Sequence, residues 1–129
     1  VPASLGKCTK LEKLVLFQNQ LEGPIPDELG QCGALEEVRL DENELTGGVP
    51  AILGRCAKLK RLKLNANQLE GAVPASELAA LTALTVFYLQ KNKGLTITAS
   101  GAQALKKALP KAKLFLSSFA SLPAKEAAG

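Results

Sequence analysis

Histidine, methionine and tryptophan are absent from the 129 residues, and tyrosine occurs once. Without imidazole the chain lacks the commonest general base and the commonest metal ligand. Neither a glycine-rich phosphate loop in a strand-to-helix setting nor a pair of carboxylates forced into a cleft takes its place. The composition points away from an enzyme, and no cofactor, metal or small-molecule substrate is expected. Three cysteines, Cys8, Cys32 and Cys56, cannot complete a disulfide framework. No apolar run approaches the roughly 20 residues of a membrane-spanning helix; the longest candidate, Leu78 to Leu89, is interrupted by Thr82 and Thr85. The chain opens on Val1 in the middle of a repeat, so a longer parent protein, or a neighbour covering the first coil, is expected.

What is present is repetition. Leu35, Val38, Leu40, Asn43, Leu45, Gly47, Val49 and Pro50 match Leu11, Leu14, Leu16, Asn19, Leu21, Gly23, Ile25 and Pro26 at a shift of 24 residues, and return as Leu59, Leu62, Leu64, Asn67, Leu69, Gly71, Val73 and Pro74 after 24 more. A fixed period in this range marks stacked coils, none of which buries its apolar face alone. The segment typified by Leu14-Val15-Leu16 alternates as a short strand with its leucines inward, and successive coils stack such strands about 4.8 Å apart into one parallel sheet. Asn19, Asn43, Asn67 and Asn92 follow the strand where the chain turns, placed to satisfy backbone groups that the sheet leaves unpaired. The glycine after each asparagine permits a tight turn, and the proline fixes φ and stops regular helix. Cys8, Cys32 and Cys56 recur in phase and stack in a column, read either as small buried hydrophobes or as a pair within disulfide reach and one left over.

Leu-x-x-Leu-x-Leu-x-x-Asn-x-Leu-x-Gly-x-Ile-Pro resembles the plant-type leucine-rich repeat found in receptor-kinase ectodomains and polygalacturonase inhibitors, over Val1 to about Leu95. The resemblance implies an α/β solenoid: a right-handed coil with a concave parallel sheet, about five coils, short helical segments on the convex side, and recognition of proteins or peptides. From Leu95-Thr96-Ile97 the pattern changes. Ser100 to Leu109 has helical spacing, with Ser100 as the expected N-cap, Ala102, Leu105 and Leu109 on one face, and Pro110 closing it. This unit is similar to the ribonuclease-inhibitor class of repeat. Its strand is expected over Lys113 to Ser117, with Phe119 and Leu122 capping the last layer. Residues 1–129 are thus expected to form a single domain: 1–10 the tail of a truncated repeat, 11–95 plant-type repeats, 96–119 a ribonuclease-inhibitor-like repeat, and 120–129 a tail. The family setting implies an extracellular location, while the absence of paired-cysteine caps and of Asn-x-Ser/Thr sequons favours an intracellular or organellar one.

Outward strand positions form columns on the sheet. Lys13, Glu37, Arg61, Val86 and Lys113 make one; Val15, Arg39, Lys63, Tyr88 and Phe115 the next; Phe17, Asp41, Asn65, Gln90 and Ser117 a third; Gln18, Glu42, Ala66, Lys91 and Ser118 the last. Lys13, Glu37 and Arg61 alternate in sign, as a column that pairs sideways. Val15, Phe17, Tyr88 and Phe115 are apolar on a solvated face and read either as partner anchors or as side chains covered by their neighbours. The candidate partner-binding residues are Val15, Phe17, Glu37, Arg39, Asp41, Arg61, Lys63, Tyr88 and Phe115, forming a non-catalytic module for a protein or peptide. A structural subunit docked permanently on a larger assembly is the alternative. The formal charge of +4 divides into −5 over residues 1–50 and +9 over residues 51–129, either a device that orients a partner or drift on solvated faces. The basic half is poor in stacking aromatics and has no reader motif, so nucleic acid is not expected as the partner. A regular outward threonine array, which ice binding would need, is missing: Thr46, Thr96 and Thr98 are scattered.

Overall fold

The computed structural model describes residues 1–116 of the chain. In chain order the elements are β1 (Lys13–Val15), β2 (Glu22–Pro24), β3 (Glu37–Arg39), β4 (Glu44–Thr46), β5 (Arg61–Lys63), β6 (Glu70–Ala72), α1 (Ala75–Leu78), β7 (Val86–Tyr88), β8 (Gly94–Thr96), α2 (Ala99–Ala108) and β9 (Lys113–Phe115). Short 3-10 turns run over Ala3–Lys7, Asp27–Gln31 and Ala51–Arg55, each entered through a proline, Pro2, Pro26 or Pro50, with φ between −71 and −65°.

Every odd-numbered strand joins one five-stranded parallel sheet in the order β1-β3-β5-β7-β9. Each strand is three residues long because its outer two residues face out and its central one faces the core, after which the chain leaves the sheet. The register aligns Leu14, Val38, Leu62, Phe87 and Leu114. Behind them lie Leu35, Leu40, Leu45, Leu59, Leu64, Leu69, Leu84, Leu89 and Leu95, all with no exposed surface. Each such leucine contributes about 1.5–3 kcal/mol, and the columns form one continuous core. The second flank is closed by two small parallel sheets, β2-β4 and β6-β8.

The asparagine ladder binds coil to coil. Asn67 Nδ2 donates to Leu40 O (2.9 Å) in the coil before and to Leu64 O (3.2 Å) in its own, while its Oδ1 accepts from Leu45 N at 3.0 Å. Asn43 and Asn92 repeat this arrangement. Stacking is close enough that a Cβ on Gly54 would stand 2.4 Å from Glu77 O, and one on Gly30 within 2.8 Å of Ile52. Gly47 adopts φ +75° in the turn out of β4.

Three expectations are corrected. Gln18, Glu42, Ala66 and Lys91 do not continue the strand; all have φ between +56 and +63°, a left-handed turn that swings the following asparagine inward. Thr98, not Ser100, is the N-cap of α2: its Oγ1 accepts from Gly101 N at 2.9 Å, so the helix starts two residues earlier, at Ala99. The last strand ends at Phe115; Ser117, Ser118, Phe119 and Leu122 lie outside the described residues. The thiols of Cys8, Cys32 and Cys56 are free, the first exposed and the others buried. Cys32 Sγ donates to Leu5 O at 3.3 Å and Cys56 Sγ lies 3.7 Å from Leu29 O. Burial, and secondarily the thiol of the preceding coil, pushes both buried thiols above their ordinary range.

Candidate functional site

The pleat that sends Leu14, Val38, Leu62 and Phe87 inward sends their neighbours out. Val15, Glu37, Arg39, Arg61, Lys63, Tyr88 and Phe115 therefore share the outward face of the five-stranded sheet, and Phe17 and Asp41 follow at the ends of β1 and β3. All nine candidate residues lie on one surface. They separate into three groups.

At the β1–β3 end Arg39 forms a forked ion pair with Asp41, Nε to Oδ1 at 3.3 Å and Nη2 to Oδ2 at 3.1 Å. The same guanidinium lies over the Phe17 ring, 3.8 Å from its centroid. Asp41 is only 4% exposed, so its charge is held beneath the arginine and the group is neutral as a unit. Val15, paired in register with Arg39, remains 44% exposed.

In the middle, Arg61 reaches Glu37 at 4.0 Å and Lys60 reaches Glu36 at 3.4 Å. Lys13 makes no ion pair among the described residues, so the alternating column pairs only in its second half. Such exposed pairs contribute little to stability.

At the β7–β9 end the rings of Tyr88 and Phe115 stack with centroids 4.5 Å apart and planes 15° from parallel. Phe115 is 42% exposed, and Lys63 Nζ sits 5.3 Å from the centre of the Tyr88 ring. Two neighbours in the third column, Asn65 and Gln90, carry buried side-chain oxygens with no hydrogen-bond donor. Neither was distinguished by sequence, because an outward amide is ordinary there and a missing donor shows only in coordinates.

Among the described residues no group of histidine, cysteine or carboxylate side chains has the arrangement of a metal site, and no helix is long and apolar enough to cross a membrane. What the face offers is aromatic surface, cations, carboxylates and amides.

A family model described as Leucine Rich Repeat matches residues 10–32. A search of curated protein sequences found no match. Among solved structures, a chain in the crystal structure of the Arabidopsis receptor kinase HAESA in complex with the peptide hormone IDA and the co-receptor SERK1 is 32% identical over 94% of this chain and 20% of its own length, with a TM-score of 0.81. A plant ice-binding protein is 27% identical over 94% of this chain and 38% of its own, with a TM-score of 0.83. The BIR2 ectodomain from Arabidopsis thaliana is 36% identical over 76% of this chain and 50% of its own, with a TM-score of 0.71. The chain thus spans between a fifth and half of these relatives.

Proposed function

Because the chain is a solenoid of plant-type leucine-rich repeats, we propose that it is a non-catalytic interaction module that holds a protein or peptide on the outward, concave face of its main sheet. One observation carries this reading: large apolar side chains, Val15 and Phe115, remain more than two-fifths exposed on a face whose cations are already positioned over aromatic rings. A surface serving only as a lid on the core has no need of such anchors. The similar receptor HAESA is seen with a peptide hormone and a co-receptor, which supports the class of partner. Phe17 with Arg39, which the buried Asp41 holds in place, would contact the partner at one end, Glu37, Arg61 and Lys63 in the middle, and Tyr88 with Phe115 at the other.

The test is selection of binders from a displayed library of random linear peptides on the immobilised chain, followed by affinity measurement with Phe17→Ala, Arg39→Ala and Tyr88→Ala variants. Phe17 and Tyr88 are only partly buried, so their variants are expected to melt within a few degrees of the parent, whereas Arg39→Ala leaves the buried Asp41 without its partner and is expected to melt lower, so its affinity is measured at a temperature where it is folded. Loss of about tenfold or more in affinity, roughly 1.4 kcal/mol, is expected for at least Tyr88→Ala and Arg39→Ala. Selected peptides that bind all three variants unchanged would place the site elsewhere.

A further inference from the structure

Each coil runs from the main sheet through a small-sheet strand and a convex turn, then back along a short return segment to the next strand of the main sheet. The small sheets and the return segments therefore lie on opposite sides of the solenoid. Charge is divided between these two sides. Residues 14–38, 40–54 and 64–90, which hold β2, β4 and β6, contain no lysine or arginine. Their small-sheet strands carry Glu22, Glu44 and Glu70, all exposed. Glu22 and Glu44 stand side by side in register, and none of the three has a cation within ion-pair distance among the described residues. Like charges placed so destabilise a sheet. The return edge carries the opposite sign. Lys10, Lys58 and Lys111 stand on it, and Lys7 and Arg55 end the convex turns that lead into it. All five are exposed, and none is paired with a carboxylate among the described residues.

We infer that the chain associates side by side with further copies of itself, the small-sheet face of one against the return edge of the next. Charge complementarity chooses the occupant: the acidic sheet face fits a row of separated cations, and the chain carries such a row on its own far side. The symmetry follows. A two-fold contact sets a patch against itself, which here brings acid to acid or base to base, so the favourable arrangement is head to tail and stays open to a third copy. It leaves the outward face of the main sheet uncovered, so it goes beyond the proposed function without competing with it. Exposed ion pairs are individually weak, so self-association is expected at about 1 mM protein and not in dilute solution.

The test is small-angle X-ray scattering of the whole chain over a concentration series reaching about 1 mM. At about 0.1 M salt a screening length of about 10 Å damps repulsion between chains of net charge +4 but spares pairs in contact. The weight-average mass should then rise to about twice the 13.5 kDa of the monomer or more, and about 1 M salt should return it to the monomer. Two sets of variants with the same change in net charge locate the contact. Glu22→Gln, Glu44→Gln and Glu70→Gln together should abolish the rise, whereas Glu12→Gln, Glu28→Gln and Glu77→Gln together, none of them on the small sheets, should keep it. All six side chains are exposed, so both proteins are expected to melt close to the parent. Lys10→Gln with Lys58→Gln and Lys111→Gln should also abolish the rise. A mass that stays at the monomer, a rise that ignores salt, or equal loss in the two glutamate sets overturns the inference. So does a monomer retained on immobilised heparin through Lys10, Lys58 and Lys111, which assigns the basic edge to a polyanion. Peptide affinity reads the main sheet separately: a chain that binds selected peptides but stays monomeric leaves the proposed function standing, and one that associates without binding any peptide removes that function and leaves this inference.

Discussion

Asn67 shows what one side chain is asked to do in a stacked fold. It bonds the carbonyls of Leu40 and Leu64, each shared with a neighbouring asparagine of the ladder, and it is the acceptor for the amide of Leu45. Asn67→Ala orphans Leu45 N, whereas Leu40 O and Leu64 O keep the amides of Asn43 and Asn92; it should cost about 1–3 kcal/mol in urea unfolding. Asn19 is exposed and its side chain bonds only Leu16 O and Phe17 O of its own coil, so Asn19→Ala is expected to cost about 1 kcal/mol or less. An equal loss in the two variants would contradict the ladder. Cysteine gives a second residue-level expectation. Cys8 should react with a thiol reagent in the native protein while Cys32 and Cys56 resist until the chain unfolds. Since burial raises the folded-state pKa of both buried thiols, the folded chain keeps protons that the unfolded chain releases. Their contribution is therefore intact below the unfolded value of about 8.5 and declines as pH rises from there toward the raised folded values. Replacing both by alanine should flatten that decline in chemical denaturation measured across the alkaline range.

Elements here are short and held by their neighbours, so changes at their junctions should report on coil stacking. Gly54→Ala forces a methyl to within 2.4 Å of Glu77 O in the next coil; the expected cost is about 1–3 kcal/mol, with a matching fall in melting temperature. Thr98→Ala removes the N-cap bond to Gly101 and should cost about 1 kcal/mol. Ser100→Ala should cost far less, since Ser100 lies inside α2 and its hydroxyl contacts only Thr98 Oγ1 at 3.2 Å. This pair of variants separates the observed cap from the expected one: Ser100 precedes an apolar helical face as a cap would, and only the extended backbone at Thr98, φ −73° and ψ 156°, decides. The leucine and asparagine columns were legible because burial demands the same residue in each coil. The left-handed turn before each asparagine was not. Gln18, Glu42, Ala66 and Lys91 share a conformation but no chemistry, and none is a glycine that would announce it.

For the molecule as a whole, periodicity revealed the face but not its internal pairing. All nine nominated residues share one surface because a strand alternates, which is a property of the backbone. That Arg39 folds onto Asp41 two residues on, rather than back to Glu37 two residues before it on the same strand, depends on side-chain reach and on Phe17 beneath it, which no spacing encodes. The division of charge, −5 in residues 1–50 and +9 in the rest, adds a long-range expectation: an acidic peptide selected on the chain should associate faster as ionic strength falls. Stopped-flow association across a salt series measures it.

The most direct test of the account is a residue-resolved NMR titration of the chain with a selected peptide. Shift changes are expected at Phe17, Arg39, Lys63, Asn65, Tyr88, Gln90 and Phe115, on the outward face of the five-stranded sheet. Changes confined to Glu22, Glu44 and Glu70 on the small sheets, or to α2, would contradict it.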